Sequence, residues 1–329
     1  MLNNKRILIL PIEIKIREFI PKLYLAYNIL KRTNIKIIIG GTRFLTNNIN
    51  YENCIWFDKS TFPDFREKYP IHKKNFITML DEEGPISFHT KEEKKERYPK
   101  GLLRQIKHFI YAGQLDLEYL DKRFYKNNFS ILGTVKFDLI KNRKIFSEEV
   151  KEIKKKYKKS IFIPAHYNHF NNNKNIIKKY AKYESNIDTH LKKRLKSIEK
   201  IQNNYYALID FAIKLAKQNP EINIIFRKHP TEKNDYLNDK FKNCPKNLKL
   251  IFKYSITPWI IACDYYLHAG CQSVLEAAYL KKRIITYLPY EYSASKNFKN
   301  FFPFFQKETE ILDFFLKKKF KKIKFYKTK

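Results

Sequence analysis

One pattern recurs along this chain and limits what it can fold into: a short, unbroken apolar run, then a glycine or polar turn, then a segment with apolar residues at helical spacing. Residues 7–10 are apolar at every position, as a strand buried on both faces requires. Residues 18–31 then place Phe19, Leu23, Ala26, Tyr27 and Leu30 at helical spacing, and residues 35–39 form a second apolar run stopped by Gly40 and Gly41. This is one βαβ unit of about 35 residues. Further strands are expected at 55–57, 76–80 and 129–132, with a helix over 101–125. A charged helix over 141–159 follows, with Glu148 and Glu149 in its first turn and lysines at its end, as the helix dipole prefers.

A second series then begins. Strands are expected at 161–164, 222–226, 248–252, 265–267 and 283–288, and helices at 191–218 and 272–280, with Thr257 as an N-cap and Pro258 as the first helical residue. The expected fold class is α/β with two Rossmann-like halves. The expected boundaries are 1–140, 141–305 and a basic amphipathic tail, 306–329.

Composition excludes several classes. Lys and Arg number 67 against 33 Asp and Glu, a net charge of +34 in 329 residues. Such a charge points to nucleic acid, an anionic membrane or acidic substrates. The crowding of Lys, Asn, Ile, Tyr and Phe, with only 7 Gly and 2 Met, is also what A/T-biased coding produces. The charge is spread along the chain, with no basic recognition helix, so a nucleic-acid partner is set aside. The four cysteines show no CxxC spacing, which argues against a zinc ribbon or disulfide framework and for a reducing cytoplasm. The first apolar run ends at Glu13, Lys15 and Arg17, too short for a signal peptide. The longest one, 254–271, contains Pro258, Asp264 and His268 and does not read as a membrane span.

The chemistry-bearing residues cluster at expected strand ends. Gly40, Gly41, Gly84, Gly133 and Gly270 follow strands, at the carboxyl edge where open α/β sheets bind ligands. In the run from Asp264 to Ala277 a strand meets Gly270 and a helix begins at once. Amides near Cys271, Gln272 and Ser273 would suit a phosphate, and Glu276, one turn in, a ribose; a plain strand–turn–helix is the alternative. Arg227-Lys228-His229-Pro230 sets two cations and an imidazole at a strand end, suited to a diphosphate or a leaving group. Asp81-Glu82-Glu83-Gly84 offers a general base or nucleophile, or simply acids offsetting Lys73 and Lys74. His166 and His169 are three apart on a loop, which suits a polar ligand-facing loop better than a metal pair. The tail carries eight lysines from Lys317 to Lys329 among Phe320, Ile323 and Phe325, suited to anionic lipid or to a solvated helix face.

Taken in order, Leu10-Pro11-Ile12-Glu13 with Arg17 and Glu18, Ile39-Gly40-Gly41, Asp81 to Gly84, Gly133 to Asp138, Arg227 to Pro230, and His268 to Ser273 with Glu276-Ala277 resemble the bacterial surface carbohydrate biosynthesis family, the glycosyltransferase-like proteins of capsule and lipopolysaccharide clusters. Lys136 stands where that family usually has arginine, which keeps the charge but loses a bidentate fork. The second half also resembles GT-B enzymes at large and the polyol-phosphate transferases of teichoic acid synthesis.

The resemblance implies a GT-B fold, two Rossmann-like domains with parallel sheets facing across a cleft. It implies a donor pocket of His229, His268, Gly270, Cys271, Gln272, Ser273 and Glu276, with Arg227 and His229 neutralising the leaving phosphate. Glu13, Arg17, Gly41 and the acids Asp81, Glu82 and Glu83 would face the acceptor, one of those acids activating it. The expected activity is transfer of a sugar from a nucleotide-sugar substrate to a glycan or lipid-linked acceptor. No metal or other cofactor is expected, and contact with the cytoplasmic membrane surface is. The alternative is transfer of a polyol phosphate from a cytidine-linked donor.

Overall fold

The computed structural model describes residues 7–48, 52–59, 75–80, 82, 106–113, 128–166, 188–230, 232, 235–292 and 295–316. The chain divides into two units, Met1–Ile145 and Phe146–Lys329. Each holds a six-stranded sheet whose described pairings are all parallel.

The first unit runs β1 (Ile7–Ile12), α1 (Lys15–Leu30), β2 (Lys36–Gly41), α2 (Thr42–Asn48), β3 (Ile55–Asp58), β4 (Phe76–Leu80), β5 (His108–Tyr111), β6 (Phe129–Ile131) and α3 (Val135–Lys141). Its strand order is β2-β1-β3-β4-β5-β6. Alternation along β1 explains why the run is apolar throughout. Leu8 and Leu10 point to one face, where Leu25, Ala26 and Ile29 of α1 cover them. Ile9 points to the other, where it meets Leu45 of α2 and Cys54. Gly40 and Gly41 are the last residues of β2 rather than a turn beyond it.

The helix expected over 101–125 is contradicted at its centre, where residues 108–111 form β5. Phe109 and Tyr111, two residues apart, share a face with ring centroids 4.5 Å apart, and both are buried. Backbone pairing to β4 on one side and β6 on the other overrides the helical spacing.

The second unit runs α4 (Ser147–Lys156), β7 (Ser160–Pro164), α5 (Asp188–Gln218), β8 (Asn223–Arg227), α6 (Asp235–Phe241), β9 (Leu248–Ile251), α7 (Ile256–Ala262), β10 (Tyr265–His268), α8 (Val274–Tyr279), β11 (Arg283–Tyr287), α9 (Ser295–Phe301), β12 (Phe304–Phe305) and α10 (Glu308–Leu316). Ile161, Phe162, Ile163, Ile224, Ile225 and Phe226 are fully buried in adjacent strands, which is why those runs lack polar alternation. Tyr205, Leu208, Ile209, Ala212 and Leu215 form the buried stripe of α5 at helical spacing. Thr257, expected as the N-cap, lies inside the helix instead. Ser255 precedes α7, and Pro258 falls in the first turn, where its missing N–H is harmless.

The strand order β12-β11-β10-β7-β8-β9 reverses direction between β7 and β10. In the first sheet the same reversal falls between β1 and β3. Open α/β sheets leave a crevice at the carboxyl ends of the strands flanking such a reversal, because the helices on its two sides cover opposite faces. Those two places are where a ligand is expected.

Candidate functional site

In the second unit, β7 leads to His166, β8 ends at Arg227 and leads to His229, and β10 ends at His268. Three adjacent strands therefore deliver three imidazoles and a guanidinium to one sheet edge, around the β7/β10 reversal. Arg227 is 4% exposed. Its Nη2 donates to the Tyr254 carbonyl at 2.9 Å, while Nη1 has no hydrogen-bond partner. Burial pulls its pKa down to about 10, opposed by Cys271 and Glu276, so it stays charged at neutral pH. Its guanidinium lies 5.5 Å from the Phe252 ring, which also takes Lys228 at 4.8 Å. Tyr254 holds the left-handed region at φ 63°, unusual for a bulky side chain and kept only where the surroundings enforce it.

His166 has both ring nitrogens closed off from solvent and neither is hydrogen-bonded. Burial, helped by His229, lowers its pKa to about 3, so it is neutral. His268 is held differently. It is fully buried, its Nδ1 accepts from the Gly270 N–H at 3.2 Å, and its Nε2 lies 3.0 Å from Thr286 Oγ1. With Nδ1 accepting, the ring proton is on Nε2 and donates to Thr286. Burial, with His166, lowers its pKa to about 3 as well. His268 therefore braces the glycine turn from beneath, and both its nitrogens are already used by the protein.

The turn itself is tight. Gly270 has φ +91°, and a Cβ there would lie 2.3 Å from the Tyr292 hydroxyl. Beyond it, Ser273 Oγ is 2.6 Å from the Tyr266 hydroxyl and 3.0 Å from Cys271 Sγ, so its hydroxyl is part of an internal network. Val274 N–H donates to the Cys271 carbonyl and Leu275 N–H to that of Gln272. Helix α8 has six residues, beginning two later than expected, and contributes little dipole. Arg227 and His166 lie at the same sheet edge as this helix start. Glu276, expected to suit a ribose, is not a solvated acid. It is 7% exposed, accepts from Thr257 Oγ1 at 2.8 Å and feels the Arg227 charge.

Next to His229, the Glu232 carboxylate accepts from the Tyr205 hydroxyl and from the His229 backbone N–H, and Glu232 N–H returns to the His229 carbonyl at 3.0 Å. One Glu232 oxygen has no partner, and burial raises its pKa. This bracket fixes the loop that carries His229.

In the first unit, the β1/β3 reversal holds buried charge. Glu18 is 1% exposed and accepts from the Glu13 N–H at 2.9 Å and the Ile14 N–H at 3.2 Å, so it ties down the turn that leads into its own helix. Lys59, just past β3, reaches Glu18 at 2.6 Å and also pairs with Glu13. Burial pushes Glu18 up, but Lys59, by charge and hydrogen bond, brings it below the ordinary carboxylate range. Lys22, 2% exposed, donates to the Phe57 carbonyl at 3.2 Å and feels Glu82 and Asp58. Glu13 and Arg17, expected to face an acceptor, are drawn into this network, Arg17 at 3.5 Å from Glu18. Gly41 is exposed, with open space where a Cβ would lie. Glu82 is buried. Asp81, Glu83, Gly84, His169 and the lysine tail 317–329 lie outside the described residues. Among the described residues, no three metal-ligating side chains converge. No helix there is long and apolar enough to cross a membrane.

Lys22, Lys59 and the orphaned state of His166 were not found by sequence reasoning. Lysine in so lysine-rich a chain carries no signal of burial, and the partners are 41 residues apart in the case of Lys59 and Glu18.

No family model and no curated protein matches this chain in sequence. Its fold does have relatives among solved structures. The wall teichoic acid polymerase TagF matches over 97% of this chain and 80% of its own, with TM-score 0.57 and 11% identity, in a structure soaked with CDPG. The UDP-GlcNAc 2-epimerase of Methanocaldococcus jannaschii, in complex with UDP-GlcNAc and UDP, matches over 97% and 94%, with TM-score 0.59 and 14% identity. The Neisseria meningitidis UDP-GlcNAc 2-epimerase matches over 94% and 90%, with TM-score 0.53 and 12% identity. The fold class is thus GT-B, with two Rossmann-like units on parallel sheets.

Proposed function

We propose that the chain transfers a sugar from a nucleotide-sugar donor to a glycan or lipid-linked acceptor in surface-polymer synthesis, and that the second unit holds the donor's phosphate at the β7/β10 reversal. One observation carries this reading. Arg227 Nη1 and both ring nitrogens of His166 are buried and unpartnered where a ligand is expected. Leaving a buried polar group unpaired costs about 1–3 kcal/mol, which a phosphate oxygen would recover at Arg227 Nη1 and at the one protonated nitrogen of the neutral His166, while its other nitrogen accepts from a ligand hydroxyl. Arg227 supplies a fixed positive charge, and His229 stands beside it on a loop held by Glu232. Together they offset charge that grows on the leaving phosphate, where a preorganised cation is most effective. Glu276, tied to Thr257 and close enough to act on the Arg227 charge, takes the donor's ribose. An acid among Asp81, Glu82 and Glu83 activates the acceptor hydroxyl.

The structural relatives, a teichoic acid polymerase and two UDP-GlcNAc epimerases, favour a nucleotide-linked ligand. The likeness to TagF over nearly the whole chain favours a second reading, polyol-phosphate transfer from a cytidine-linked donor. A thermal-shift panel with CMP, CDP, UDP and GDP and their sugar or alditol conjugates separates them. A ligand at about 100 times its Kd adds about 2.7 kcal/mol of stability. Stabilisation by a nucleotide sugar with sugar transfer supports the first reading. Stabilisation by a CDP-alditol with CMP release supports the second, and no stabilisation by any nucleotide refutes both.

A further inference from the structure

We infer that the outward face of α1 docks on an anionic lipid surface. Ile16, Ile20, Leu23, Tyr27 and Leu30 follow one another at spacings of four, three, four and three, which lines them along one side of the helix for about 21 Å. This is not the side that covers the sheet, which buries Glu18, Pro21, Lys22 and Ala26. Ile20 is 37%, Leu23 46%, Tyr27 57% and Leu30 53% exposed. Single exposed apolar residues are ordinary, but a continuous stripe of them marks an interaction surface.

The charge around the stripe selects the occupant. Lys15, Lys31 and Arg32 are exposed at its two ends. The acids on this element do not offset them, because Glu18 is buried and both Glu18 and Glu13 pair with Lys59. Lys31 Nζ lies 5.0 Å from the Tyr27 ring centre, and Lys15 Nζ 6.0 Å from that of Phe19. Both ammonium groups thus lie over aromatic rings of the same helix, so cationic and apolar groups adjoin one another on this surface. A second copy of α1 fits poorly. Antiparallel pairing sets Lys15 against Lys31, and parallel pairing sets each cation against itself. Anionic headgroups over an apolar layer meet both features at once, with the helix lying in the interface plane. The net charge of +34 draws the whole chain the same way.

The experiment is co-sedimentation of the full chain with phosphatidylcholine vesicles, with and without phosphatidylglycerol as one lipid in three. The parent should bind only the anionic vesicles, and less so as salt rises. Leu23→Ser with Leu30→Ser should bind about tenfold more weakly. Lys31→Gln with Arg32→Gln removes no apolar contact and should bind about thirtyfold more weakly at low salt. The second pair keeps the test decisive should the first fail to fold, and thermal melting of each variant gives that control. Three results overturn the inference: no binding by the parent, unchanged binding by both pairs, or loss confined to glutamine variants of the lysines at 317–329. So does a dimer in sedimentation equilibrium that Leu23→Ser with Leu30→Ser abolishes while the parent ignores vesicles, which makes a second copy the occupant.

Discussion

Gly270→Ala is expected to destabilise the protein by about 3 kcal/mol, and adding Tyr292→Phe to return about half of that. Two separate costs add up here. The first is backbone strain, because φ is +91° and a non-glycine residue there costs about 1–3 kcal/mol. The second is steric: the new Cβ would lie 2.3 Å from the Tyr292 hydroxyl, and forcing atoms apart in a packed interior costs about 1–3 kcal/mol. Removing that hydroxyl leaves the Tyr292 Cζ at 3.5 Å and Phe298 Cε2 at 3.6 Å as nearest atoms, both ordinary contacts. Only the steric part is then relieved. Urea unfolding of the parent, both single variants and the double variant forms a cycle whose coupling should be about 1.5 kcal/mol in favour of the double. Coupling below about 0.5 kcal/mol is the level of independent sites and would refute the steric argument. An alanine variant as stable as the parent would refute the backbone conformation itself.

Two further outcomes follow from buried charge. His268 is lowered to about 3 in the folded chain against 6.5 in an unfolded one, so above pH 6.5 it contributes no pH dependence, and stability falls as pH drops from 6.5 towards 3. By pH 5 that loss is about 2 kcal/mol, so His268→Gln should lose about 2 kcal/mol less than the parent between pH 7.5 and 5 in urea unfolding, and equal losses would contradict it. Lys59→Met leaves Glu18 buried without its partner and should cost about 3–5 kcal/mol, part of which Glu18→Gln in the same chain should restore.

What could be read in advance divides by the range of the interaction that decides it. The strands β1, β2, β7 and β8 were legible because burial on both faces leaves an unbroken apolar run, a property of a few consecutive residues. Residues 108–111 were misread because their strand character comes from neighbours β4 and β6, which local spacing does not show. The sheet edge bearing Arg227, His229 and His268 was legible because parallel strands carry their functional residues at one end. The work of each residue was not. Ser273 reads as a ligand contact, and nothing local shows that its hydroxyl also meets that of Tyr266 at 2.6 Å. His268 reads as a pocket residue until Thr286, in the next strand, is seen holding its Nε2. His166 stood in a loop that looked merely polar, and its importance comes from lying where the strand order reverses, which depends on the pairing of β7 with β10 across about 100 residues of chain.

His166→Leu puts the phosphate site to the sharpest test, because a ligand role and a structural role predict opposite results. The substitution removes two buried nitrogens that have no partner, so the nucleotide-free protein should be as stable as the parent or more stable by about 1 kcal/mol. The nucleotide found by the thermal-shift panel should bind about 10- to 100-fold more weakly, since about 1.5–3 kcal/mol of hydrogen bonding to a charged oxygen is lost. Calorimetric titration of parent and variant at pH 7.5, beside urea unfolding of each without ligand, reads both quantities. Weaker binding on an unweakened fold is the predicted result. Nucleotide affinity equal to the parent's would contradict a phosphate site at the β7/β10 reversal.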